Sequence, residues 1–143
     1  MKKYAVLVTF LLSVFMVSVA QGETGTIIIE IVGIDRVRGQ IAIGLYRSRD
    51  NFPKRGEAYR SREIRVTGEK MKASLKNLPE GTYAIALFHD SNSNGKFDKG
   101  ALGVPSEGYG FSNNASALLG PPRFADAAFE LKGEKTVIIK LMK

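Results

Sequence analysis

The sequence predicts an all-β chain, an antiparallel seven-stranded β-sandwich of immunoglobulin-like or transthyretin-like topology, behind an N-terminal signal peptide. Three observations carry that prediction. Apolar residues recur at every second position in seven short segments. Clusters of glycine, proline, asparagine and charged residues separate the segments. After residue 20 no stretch shows the spacing of an amphipathic helix. The Cys-Trp-Cys pattern of true immunoglobulin domains is absent, so the prediction concerns architecture alone.

The elements follow in order. Lys2 and Lys3 precede an uncharged, largely apolar run over 4–19, and Ser18-Val19-Ala20 supplies small residues where a signal peptidase reads. That run falls short of a bilayer span and no basic stop follows it, so cleavage after Ala20 is expected and the product is not integral to a membrane. Residues 1–20 are thus a signal peptide, and 21–143 a single domain, periplasmic or secreted. With no cysteine in the chain, lipidated cysteines and disulfides are excluded.

In "TIIIEIVG" Ile27, Ile29 and Ile31 share one face, and in "QIAIGLY" Ile41, Ile43 and Leu45 do the same. "DRVRG" between them reads as a hairpin turn. "REIRV" points Ile64 and Val66 inward, and "KMKASLK" alternates Met71, Ala73 and Leu75 with polar residues; "TGEK" reads as the turn joining the two. After a Pro/Gly turn, Tyr83, Ile85 and Leu87 alternate up to His89. "FADAAFEL", a "KGEK" turn and "TVIIKLM" close the chain, with Val137, Ile139 and Leu141 on one side. Two connections are long, 47–61 and 90–124, a length that marks functional or mobile loops.

The chain carries 21 Lys and Arg against 14 Asp and Glu. The excess is local, with ten bases and four acids between residues 47 and 76. Such a face suits an anionic envelope polymer, a lipid head group or a plain solvated surface. No recognition helix or aromatic ladder accompanies it, which argues against nucleic acid.

The second long connection opens with "HDSNSNGKFD". Counted from Asp90, an EF-hand calcium loop requires oxygens at positions 1, 3, 5, 7 and 9 and a glycine at 6. Asp90, Asn92, Asn94, Gly95, the Lys96 carbonyl and Asp98 meet those requirements. Position 12 is Ala101 where a bidentate Glu belongs, and no flanking helices are expected, so an EF-hand proper is ruled out. Glu107 is the candidate for the missing carboxylate, with backbone carbonyls or water as the other option. With so few charges the expected calcium affinity is weak, roughly 10⁻⁴ to 10⁻³ M. Asn, Ser and Gly also make plain turns, but a turn does not require this register.

His89, the single histidine, cannot build a zinc site alone. A hydrolase constellation would pair it with Asp90 and Ser91 or Ser106; its parity with Tyr83, Ile85 and Leu87 points instead to a strand-end residue bonded to a loop. Tyr109, Phe111 and Phe124 can cap one end of the sandwich, with Asn113 and Asn114 satisfying exposed backbone, or line a small carbohydrate or peptide cleft.

"GTYAIALFHDSNSNGKFDKGALGVPSEGYGFSNNA" with "GPPRFADAAFEL" resembles the secreted bacterial family called domain of unknown function 2141, over essentially the whole mature chain. The elements that match are His89-Asp90, Asn92 to Asp98, Gly103 to Gly108, Gly110 to Asn114 and Gly120 to Pro122. The resemblance implies export and a small sandwich fold but no activity. "LPEGTYAI" is more distantly similar to transthyretin-like and carboxypeptidase-regulatory sandwiches; the related hydroxyisourate hydrolases use several histidines and an arginine, where this chain has one histidine. The expected function is a non-enzymatic envelope module whose loop, ordered by calcium, presents a surface to a ligand or protein. The alternative is a periplasmic hydrolase using His89 with an acidic partner.

Overall fold

A computed structural model describes residues 22–143; the expected signal peptide, residues 1–20, and its cleavage point lie outside them. The strands are β1 Thr24–Val32, β2 Gln40–Tyr46, β3 Arg60–Arg65, β4 Met71–Pro79, β5 Gly81–Asp90, β6 Tyr109–Phe111, β7 Phe129–Leu131 and β8 Glu134–Lys140. They form two sheets, ordered β4-β1-β8 and β3-β2-β5-β6, with β7 beside the start of β5. Among the described residues no helix is long and apolar enough to cross a membrane.

The expected alternation is the core. Ile27, Ile29 and Ile31 of β1 are fully buried beside Ile139 of β8 in their own sheet, and share one core with Ile41 and Leu45 of β2 and Ile85 of β5 from the other sheet. Burying each such side chain stabilises the fold by about 1.5–3 kcal/mol.

The count and the pairing differ from expectation. Among the described residues there are eight strands, because the three-residue β6 lies inside what reads as the long loop 90–124. One pair, β1–β8, is parallel. Both β6 and β7 run antiparallel to β5, so the segment joining them does not reverse the chain, and β8 arrives alongside β1 in the same direction. "DRVRG" is not a hairpin turn either, and "TGEK" bends the chain without pairing the two strands it joins. β1 pairs with β4 and β8 while β2 pairs with β3 and β5, so both connections cross from one sheet to the other. Alternation reports which face of a strand is apolar; it does not report which sheet the strand joins.

The basic stretch maps to edges. β3 and β4 each end a sheet, and Arg60 donates to the Lys76 carbonyl at 2.9 Å while Arg62 donates to the Ser74 carbonyl. These guanidiniums occupy acceptors on the open side of β4, and charged edges resist edge-to-edge pairing.

The five-stranded sheet is covered on both faces. Phe52 of the 47–61 connection packs edge-on against Phe111 and Phe124, with ring centroids 6.0 and 6.1 Å away. Ala84, Ala115 and Ala127 join them in a second apolar cluster. Tyr109, Phe111 and Phe124 therefore build a layer on the outer face of the sheet instead of capping an end. Within it "FADAAFEL" splits into a helical turn, Phe124–Ala127, and β7. The Asp126 carboxylate accepts the Arg123 N–H and guanidinium, which starts that turn where a strand was expected.

Candidate functional site

Successive strand residues project to opposite faces, and the end of β5 separates His89 from Asp90 accordingly. Both are buried. His89, on the core side, places Nε2 2.7 Å from the Arg38 carbonyl; a carbonyl only accepts, so Nε2 carries the proton. Its Nδ1 lies 3.9 Å from Asp35, whose pKa a hydrogen bond from Lys143 lowers, against some desolvation. The acidic neighbour of His89 is therefore Asp35, on the connection between β1 and β2.

Asp90, on the outer side, anchors the loop. Its carboxylate accepts the N–H of Asn94 at 3.1 Å, the N–H of Gly95 at 2.8 Å and the Gln40 amide at 3.3 Å. Gly95 has φ 72°, a left-handed conformation that suits glycine. Gly39, at φ 71°, passes so close that an added Cβ would sit 2.1 Å from the Asp90 carbonyl. Further along, Asn92 Oδ1 accepts the Asn94 N–H at 3.2 Å and Asn94 Oδ1 accepts the Lys96 N–H at 2.8 Å. Both asparagine amides donate to Asp98 Oδ2 at 2.8 Å, the main reason its pKa is lowered, with Asn94 the larger contributor.

Glu107 closes the loop. One oxygen accepts the Ser91 N–H at 2.9 Å, the other the Asp98 N–H at 3.1 Å. The carboxylate thus staples Ser91, near the start of the stretch, to Asp98 at its end while remaining buried. Every candidate ligand, Asp90, Asn92, Asn94, Lys96, Asp98 and Glu107, belongs to this one hydrogen-bonded network. The oxygens suit a hard cation. Among the described residues, however, no three His, Cys, Asp or Glu are gathered as a metal site. Calcium would have to draw on amide and carbonyl oxygens as well as carboxylates.

"GFSNN" is a knot. Buried Ser112 accepts the Ile85 N–H at 2.9 Å and donates to the Ala127 carbonyl. Asn113 donates to the Ala128 carbonyl at 2.8 Å, and Asn114 accepts the Lys140 N–H at 2.9 Å. Both asparagines have positive φ, which Asn tolerates better than most residues. Asn113 and Asn114 satisfy backbone as expected. The role of Ser112 has no local signal, since its partners are 27 and 15 residues away.

The stapled loop and the outer layer together wall a cleft of about 690 Å³. Phe88, Phe97, Tyr109 and Phe111 contribute to it, with Phe97 5.4 Å from Phe88 and 5.7 Å from Tyr109. Arg55 reaches over from the 47–61 connection, donating to the Gly95 carbonyl and placing its guanidinium 5.0 Å from the Phe88 ring. At the mouth stand Leu102 and Leu118, almost wholly exposed. Sequence reasoning singled out Tyr109 and Phe111 but missed Phe97, Arg55 and the two leucines. An apolar residue in a polar loop was the available signal.

Residues 29–139 match the model of a family described as an uncharacterised protein conserved in bacteria (DUF2141). No curated protein and no solved structure matches the chain.

Proposed function

The chain belongs to the DUF2141 family, whose description carries no activity, and we propose from its site that it is an exported, non-enzymatic binding module. The observation that carries this reading is the cleft. Its volume of about 690 Å³ lies within the roughly 300–1,000 Å³ of small-molecule sites. It sits on the outer face of the five-stranded sheet, so occupying it would not disturb the core. The stapled loop supplies one wall, which links the polar network to ligand binding.

Calcium enters this reading as a reinforcement of the loop through Asp90, Asn92, Asn94, the Lys96 carbonyl, Asp98 and Glu107, supported by the sequence register and by an all-oxygen donor set. Export after Ala20 to the periplasm or medium remains part of the proposal, as does a salt-sensitive contact of the 47–76 surface with an anionic polymer. For the topology we favour the transthyretin-like alternative. Immunoglobulin sandwiches place their second and third strands in different sheets, and here β2 and β3 are neighbours.

The test is titration of the exported chain with N-phenyl-1-naphthylamine, a neutral apolar fluorophore. Saturable enhancement that Leu118→Asp weakens is expected; enhancement that does not saturate, or that the variant leaves intact, sinks the reading. Calcium is followed separately by melting of chelator-stripped protein. At ten times Kd, stabilisation of about 1.4 kcal/mol is expected, lost in Asp98→Ala. Indifference to millimolar calcium removes the metal from the proposal and leaves the cleft.

A further inference from the structure

We propose that the cleft takes a free, single-chain anionic amphiphile, its apolar tail on the aromatic floor and its acidic head at Lys99. This rests on the binding-module reading and adds the charge and shape of the ligand.

Charge comes first. Three cations line the cleft, Arg55, Lys99 and Lys143, and no Asp or Glu does. The three are not equivalent. Arg55 is committed to the Gly95 carbonyl and also lies 3.5 Å from Glu63. Lys143 is paired with Asp35. Lys99 forms no ion pair among the described residues and is exposed, so its charge is open to an incoming anion.

Lys99 also begins a small hairpin, closed by its bridge to Pro105 and by the Gly100 N–H to Val104 carbonyl bond of 2.7 Å. The tip carries Leu102 at φ 60° with full exposure, next to exposed Val104. A leucine held in left-handed backbone costs conformational energy, and here no core burial repays it. The hairpin sets apolar side chains immediately beside an uncompensated cation. Leu118 and Leu119 are exposed on the segment that forms another wall.

Competing ligand chemistries fit less well. Apart from the three cations, the Tyr109 hydroxyl is the polar side-chain group on the lining, so a sugar would enter leaving most of its hydroxyls unbonded, at high cost. A peptide bound by strand addition needs an open strand edge. The outer edge of β6 is taken by Met142, which exchanges bonds of 2.9 and 2.7 Å with Tyr109. An alkyl tail requires neither.

The experiment compares dodecanoate, kept below its micellar concentration, with dodecyltrimethylammonium and N-phenyl-1-naphthylamine, by amide chemical shifts of the exported chain. Dodecanoate is expected to shift Phe88, Phe97, Leu102 and Tyr109 and to bind more tightly than the cation of equal tail length. Lys99→Glu should weaken dodecanoate about tenfold, as reversing one exposed charge contact allows, while Lys132→Glu, away from the cleft, should not. Equal affinity for the two surfactants, or an unaffected Lys99→Glu variant, overturns the proposal. So does binding to anionic vesicles without binding to monomeric dodecanoate. If the neutral fluorophore still binds in that event, the charge assignment alone has failed; if nothing binds, the cleft itself is no site.

Discussion

Replacing Glu107 with Gln tests whether this carboxylate organises the loop. The side chain is 4% exposed, and its two oxygens receive the N–H groups of Ser91 and Asp98, with the Ser91 hydroxyl 3.4 Å from the first. Glutamine has one acceptor oxygen and one NH₂ group, so in either orientation an amide donor faces a backbone donor. Two effects compete. Removing a buried charge relieves desolvation, but that charge is already satisfied by N–H dipoles, so the relief is small. Against it stand the loss of a charge-assisted bond, about 1.5–3 kcal/mol, and an orphaned buried N–H, about 1–3 kcal/mol. The losses win, and a net destabilisation of about 2–4 kcal/mol is expected. In urea, with m near 1.5 kcal/mol/M, the midpoint should fall by roughly 1.3–2.7 M at unchanged m. Hydrogen exchange should accelerate at Asp98 or Ser91, whichever amide meets the NH₂. A midpoint within about 0.3 M of the parent, with both amides still protected, would refute the staple.

Other consequences of the geometry are as direct. Ser112→Ala leaves the Ile85 N–H without its acceptor in a buried position and should cost about 1–3 kcal/mol in equilibrium unfolding; a neutral change would mean that water replaces the hydroxyl. The double variant Arg60→Ala, Arg62→Ala should change stability by less than about 1 kcal/mol, because both side chains are exposed. It should self-associate more readily in sedimentation, because β4 carbonyls become available; monodisperse protein at high concentration would argue against edge protection. The Asp98 carboxyl is held below its ordinary value of 3.8 by the Asn94 and Asn92 amides. Its contribution is therefore complete above that value and fades as pH falls through the lower, folded one. The side-chain amide resonances of Asn92 and Asn94 should move only below about pH 4; movement between pH 5 and 6 would contradict the contact.

Much of the loop was legible because its bonds are local. The oxygens of Asp90, Asn92 and Asn94 reach N–H groups two to five residues ahead, and that spacing is written directly in "DSNSNGK". Even Glu107 is within range of a glycine-rich fold-back. What could not be read is the current use of these oxygens, since Asx-type turns and cation cages draw on the same residues in the same register.

Strand faces belong to the same class of information. A period of two needs no partner to be recognised, so Ile27, Ile29 and Ile31, or Val137 and Ile139, announce their burial alone. Sheet membership depends on pairings between distant residues, such as Gln40 with Asp90 or Ile28 with Thr136. Those are decided by how the whole chain packs, which is why the apparent hairpin at "DRVRG" and the turn at "TGEK" are crossings between the sheets. β6 escaped notice for a related reason, because three residues with a glycine before them and another in their middle carry too short a pattern to register. The cleft lies furthest from the sequence. Phe88 lies on β5, Phe97 and Lys99 early in the 90–124 connection and Leu118 late in it, and only the fold of that connection over the outer face of β5 brings an aromatic floor, an exposed leucine and an uncompensated lysine to one opening.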